Sequence, residues 1–149
     1  MKPRIPRIGV RALILHENRL LIVNAWPGGR PVLWCAPGGG VHAGASLPEN
    51  LAREVHEETG IAITVGAPAL VNEFHDPDSG FHQIEIFFRA QLAGPIPAHW
   101  TDPEGIVTHR RFVTRDELAR LPHKPDSLAP AAWGDAGALS YDPLERILR

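Results

Sequence analysis

Cysteine is nearly absent from this chain: Cys35 is the only one in 149 residues. No disulfide can therefore form within the chain, and a reducing compartment suits it. A lone cysteine beside Trp34 reads better as a buried, inert side chain than as a catalytic thiol. Charge of one sign is lacking too, since 15 Lys and Arg stand against 17 Asp and Glu, a net charge of −2. That balance gives no general pull toward nucleic acid or a membrane surface, and neither is expected as a partner. Long hydrophobic runs are missing as well. The basic start, Met1 to Arg7, leads into an apolar run too short for a signal-peptide core or a membrane span. The expectation is a cytoplasmic protein. The eight histidines are scattered without ligand spacing, which speaks against zinc.

What is there suffices for one domain over residues 1–149, with 44% apolar residues. Residues 1–7 form a loose arm. Ile8 to Leu15, Leu20 to Val23, Val32 to Ala36, Phe81 to Leu92 and Gly105 to Val113 read as strands. Ile61 to Phe74 is a further one, bent or interrupted at Gly66 and Pro68. Turns fall at His16–Arg19 and His75–Gly80, and loops at Trp26–Pro31 and Gly94–Pro103. Thr114 with Glu117 predicts a capping box over a helix at 115–121. After Pro122 the chain becomes rich in proline and alanine, a tail over 123–149 with short helices expected near 127–132 and 143–148. Strands around separated helices make an α+β domain with a mixed β-sheet between helical layers.

Residues 37 to 61 carry the chemistry. The glycine run Gly38–Gly39–Gly40 reads as a loop leading into a helix with Ser46 as N-cap, Glu49 closing a capping box, Pro48 in the first turn and Gly60 at the end. Leu47, Leu51 and Val55 form its apolar stripe. Glu54, Glu57 and Glu58, at i, i+3 and i+4, share about a third of the helical circumference. This acidic arc is expected to stay wet, with Arg53 and His56 pointing roughly the other way. Three crowded carboxylates resist joint ionisation unless a cation sits among them. An all-oxygen donor set suits Mg²⁺, which takes a few carboxylates and substrate phosphates. A merely solvated acidic face is the bland alternative.

The stretch resembles the signature of the Nudix hydrolase superfamily (MutT-like), G-x5-E-x7-R-E-U-x-E-E-x-G-U, where U is a bulky aliphatic. Gly39 opens it, and Arg53-Glu54-Val55-His56-Glu57-Glu58-Thr59-Gly60-Ile61 close it. One element departs, because Ala45 stands at the first glutamate. The resemblance implies an α/β/α sandwich and metal-dependent hydrolysis of a nucleoside diphosphate linked to a moiety X. It implies Mg²⁺ or Mn²⁺ held by Glu54, Glu57, Glu58 and a backbone carbonyl near Gly38. Glu54 or Glu57 is then the base for water, and Arg53 orients the catalytic glutamate. A homodimer is a further expectation, since dimers are common in the superfamily and the tail could form an interface.

Ala45 also leaves open a catalytically weak nucleotide-binding or sensor domain. His42 could supply part of the missing hydrogen bonding. Asp102 and Glu104 are candidates for a further acid from a downstream loop, Glu104 the better placed, against a plain loop-capping role. Glu85, amid Ile84, Ile86 and Phe87, needs a partner or a wet cleft wall. Trp26, Phe74, Phe81 and Trp100 are candidates for stacking on a base, or else core and rim residues.

Overall fold

The computed structural model describes residues 4–27, 33–135 and 137–147. Its spine is β1 (Arg7–His16), β2 (Arg19–Asn24), β5 (Ile63–Asp76) and β6 (Phe81–Leu92). Short strands β3 (Trp34–Cys35), β4 (Gly38–Gly40), β7 (Arg110–Val113), β8 (Ser140–Tyr141) and β9 (Glu145–Arg146) extend it. The order is β3-β2-β1-β6-β5-β8, with β4 on β1, β7 on β2 and β9 on β5. β1 runs parallel to β6 while β5 and β6 are antiparallel, so the sheet is mixed, as expected.

The period of two along each strand divides the core. Val10, Ala12 and Ile14 of β1 join Leu21 and Phe88 under Leu51 and Val55 of helix α1 (Leu47–Thr59). The alternate residue Leu13, with Leu20, Ile22 and Phe87, packs on the other face. There it meets Leu118 of α2 (Arg115–Ala119) and Leu128, Ala131 and Ala132 of α3 (Leu128–Trp133). Helices thus cover both faces of the sheet, giving the α/β/α sandwich. The Glu17–Asn18 turn joins β1 to β2 with positive φ at both residues, which matches the twist of a two-residue hairpin.

Most expected elements form, including the turn at residues 77–80 and the capping box of Thr114 and Glu117. At Gly66 and Pro68 the strand bends rather than ends, with register shifts between Val65 and Leu70. Four expectations are corrected. The glycine run is not a loop but a strand, pairing Gly38, Gly39 and Gly40 with Arg11, Val10 and Gly9. The strand expected over 105–113 shrinks to β7, because side-chain acceptors take the earlier N–H groups. Asp102 receives those of Ile106 and Val107, and Asn24 Oδ1 those of Thr108 and His109. The helix expected at 143–148 is replaced by β9, paired with Phe74 and His75; Leu148 and Val32 lie outside the described residues. At Ser46 the hydroxyl accepts from the Glu49 N–H at 3.1 Å, which is one half of the expected capping box.

Leu51 is fully buried at the centre of the α1 contact. Leu51→Ala is expected to cost about 2–5 kcal/mol, read as a lower urea midpoint with an unchanged m-value.

Candidate active site

β4 lies between β1 and α1, and its lack of side chains is what lets the helix come close. A Cβ on Gly39 would stand 2.4 Å from a Glu54 carboxylate oxygen, and one on Gly38 would stand 1.9 Å from the Val10 carbonyl. The Gly38 N–H donates to Glu58 Oε2 at 3.1 Å. The acidic arc of α1 is therefore turned toward the glycine strand rather than left wet. Glu54 is only 7% exposed and Glu58 is half-buried. They line a cleft of about 340 Å³ together with Gly38, Gly39, Gly40, His42, Glu104 and the arginines Arg7 and Arg11.

Arg53 does not point away from the acids. Its Nη1 donates to Glu54 Oε1 at 2.9 Å and to Glu57 Oε2 at 3.4 Å, and its Nη2 donates to Asn50 Oδ1 at 3.0 Å. A long, forked side chain can bend along the helix surface where a one-residue angular estimate cannot follow it. Glu57 thus stands beside the cleft, held by Arg53, rather than in its wall.

The two inner acids are electrostatically loaded. Burial pushes the Glu58 carboxyl up to about 7, against the pull of Arg11 and the Gly38 N–H and with help from Glu54 and Asp102. Burial likewise raises Glu54, opposed by the Arg53 hydrogen bond and charge. Carboxylates desolvated in this way gain from a cation. Among the described residues no three His, Cys, Asp or Glu side chains close around a single point, so the protein offers a partial shell. A partial all-oxygen shell suits Mg²⁺, which keeps waters and shares substrate phosphates.

A second cavity of about 300 Å³ shares Arg11, Ala25 and Cys35 with the cleft and is lined by Trp26, Leu33, Asn72, Phe74, Phe81 and Phe87. The Phe74 and Phe81 rings lie 6.0 Å apart. At the junction Arg11 Nε donates to Glu85 Oε2 at 2.6 Å, and Gln83 Nε2 donates to the same oxygen at 3.1 Å.

A model of the NUDIX domain matches residues 5–133. The chain belongs to the Nudix family. Relatives include a putative ADP-ribose pyrophosphatase of Bacillus subtilis, 28% identical over 80% of this chain and 55% of that protein. An ADP-ribose pyrophosphatase of Methanocaldococcus jannaschii is 29% identical over 60% of this chain and 53% of that one. The chain thus spans about half the length of these curated relatives. A Nudix hydrolase from Nitrosomonas europaea shares the fold, with a TM-score of 0.76 at 19% identity over 91% of this chain and 93% of that one.

Nudix hydrolases generally use divalent metal ions, and the donor chemistry of Glu54 and Glu58 fits that use. Of the sequence candidates, Gly38, Glu54, Glu58 and Glu104 share the cleft, and Arg53 and Glu57 adjoin it. Asp102 takes the structural alternative: it is buried and accepts the N–H groups of Glu104, Ile106 and Val107, which shapes the loop carrying Glu104. Trp26, Phe74 and Phe81 line the second cavity, whereas Trp100 packs against Gly60 and under the Arg110 guanidinium, 3.9 Å from its ring centre. Glu85 has the partner it needed, and the wall as well. Cys35 is half-buried rather than fully buried, and burial pushes its thiol up to about 11, which favours the neutral thiol over the nucleophilic thiolate. His42 is exposed, and among the described residues its hydrogen bonds run through its backbone, so its imidazole does not replace the glutamate absent at Ala45.

Two residues were missed, Arg11 and Asn50. Each left a signal, a charged or polar residue at a position whose period places it inside.

The raised Glu58 fixes the sign of a pH effect. Its folded pKa of about 7 lies above the ordinary carboxylate value, so the folded protein holds the extra proton between the two. Stability from this group is full below the unfolded pKa and is lost as pH rises through about 7. The metal-free melting temperature is expected to fall by a few degrees from pH 5 to pH 8. Glu58→Gln, whose amide oxygen still accepts from Gly38, should flatten that fall.

Proposed function

We propose that this chain hydrolyses the pyrophosphate bond of a nucleoside diphosphate linked to a moiety X, at a Mg²⁺ or Mn²⁺ site on α1. The observation that carries the reading is the junction itself. A cleft lined by buried Glu54 and half-buried Glu58 shares Arg11, Ala25 and Cys35 with an aromatic-lined cavity large enough for a flat ring system. The inner acids suit cation and phosphate, and the rings of Trp26, Phe74 and Phe81 suit the base. The names of the two curated relatives make ADP-ribose the first substrate to try.

In this reading Glu54, Glu58 and the Gly38 carbonyl would hold the ion, with Glu57 turning in from beside the cleft to join them, and the ion would supply Lewis-acid charge neutralisation at the pyrophosphate. Glu54 is the base we favour. Burial raises its carboxyl, which improves its basicity, while Arg53 keeps its orientation. It takes a proton as the oxygen of a water molecule bonds to one phosphorus. The bridging P–O bond breaks, and its electron pair leaves with the second phosphate. Two phosphate monoesters result. Glu104 faces the same cleft and is the second acid able to position water or substrate.

Product release should be followed for ADP-ribose, other nucleotide sugars, dinucleoside polyphosphates and oxidised nucleotides, each with Mg²⁺ and Mn²⁺. Metal-dependent turnover is expected, with kcat down ~10²–10⁴-fold in Glu54→Gln. Phe74→Ala is expected to raise KM more than it lowers kcat. Nucleotide binding without turnover on any substrate would instead make this a binding or sensor domain.

A further inference from the structure

We propose that Asn50 is a positioning residue, which locks the Arg53 guanidinium and through it sets the Glu54 carboxylate; this rests on the hydrolase reading above. Asn50 is 1% exposed, yet polar and on the inner side of α1. Its carboxamide is fully used. Oδ1 accepts from the His42 N–H at 2.8 Å and from Arg53 Nη2 at 3.0 Å. Nδ2 donates to the carbonyls of Ser46 at 2.8 Å, Ala45 at 3.2 Å and His42 at 3.3 Å. The amide orientation follows from this set, because a flipped group would set its NH₂ against two N–H donors.

The geometry gives Asn50 two attachments of different kinds. Its Nδ2 side is anchored to the carbonyls of His42, Ala45 and Ser46, in the backbone that leads into α1. Its Oδ1 side then presents a fixed acceptor to a guanidinium whose other amino group holds Glu54 Oε1 at 2.9 Å. An arginine held at both amino groups loses its rotational freedom before substrate arrives, so less ordering remains for the reaction itself. Position 45, where the resembling signature has a glutamate, offers only a methyl group. Asn50 reaches the carbonyl of that same residue and supplies from the helix a support that the Ala45 side chain cannot give. His42 joins the arrangement through its backbone alone.

A loop-holding role would also bury an asparagine here, and the test must separate the two. Asn50→Ala, Arg53→Ala and the double variant form a cycle, read by kcat and KM on the best substrate. Asn50→Ala is expected to lower kcat ten- to a hundredfold with KM within about threefold, and to add almost nothing in the Arg53→Ala background. A second reading needs no turnover: the ¹⁵N-relaxation order parameter of the Arg53 Nε–Hε group in the metal-free protein. It is expected to drop on Asn50→Ala from the rigid range toward the mobile one. Should the alanine variant fail to fold, Asn50→Ser decides by the same readings, since its hydroxyl can still bond the Ser46 carbonyl but cannot reach Arg53. Additive losses in the cycle, or an unchanged Arg53 order parameter, would overturn the proposal. If the wild type turns over no substrate, the hydrolase reading falls alone, and the order parameter decides the role of Asn50.

Discussion

The close approach of a bare backbone strand to the acidic arc of α1 is the constraint on which this structure turns. Gly39 lets the Glu54 carboxylate, and Gly38 the Val10 carbonyl, occupy space that side chains would fill elsewhere. Pairing with Gly9, Val10 and Arg11 keeps that strand from moving away. β1 in turn is fixed by its parallel partner β6 and by the apolar contact of Val10, Ala12 and Ile14 beneath Leu51 and Val55. The apolar stripe of α1 therefore sets the height of the helix above the sheet, and that height decides how deeply Glu54 and Glu58 are desolvated. Packing and site electrostatics are one problem here.

Much of this was legible from residue order. The limits of α1 follow from Ser46 and Gly60, the turn between β1 and β2 from His16–Arg19, and β6 from the strand-like stretch Phe81 to Leu92. Less legible were features that depend on partners distant in the chain. Three glycines in a row look like a loop, and only β1 makes them a strand. The stretch 105–109 has strand-like composition, but Asp102 and Asn24 collect its amides first. Residues 145 and 146 pair with β5 because an edge was open to them, a fact no local pattern carries.

The same division holds within the site. The acids at 54, 57 and 58 were visible as a cluster because helical spacing is local. Their unequal exposure was not, since it depends on Gly39 and on the bend of Arg53. Glu85 was visible as an acid that needs a partner or a wet wall, but that partner is Arg11, which was missed because the pairing spans β1 and β6. That pair is worth little as a source of stability, for its desolvation roughly offsets its attraction. Its position gives it another value: it puts a guanidinium and a carboxylate in the wall where the acidic cleft and the aromatic cavity meet.

A metal-free site of this kind is held slightly against its own charges. Burial raises the proton affinity of Glu54 and Glu58, and neighbouring acids add to it, Glu57 and Glu104 at Glu54 and Glu54 and Asp102 at Glu58. The opposing positive groups come from two directions, Arg53 on the helix and Arg11 on the sheet. Neither cation can collapse fully onto the acids, because Arg53 is also tied to Asn50 and Arg11 to Glu85. Had either arginine been free to form a closed bidentate pair, the carboxylates would be satisfied and indifferent to a further cation. Divided partners leave them stable enough to fold around and still short of positive charge, which is the state a binding site for a divalent ion requires.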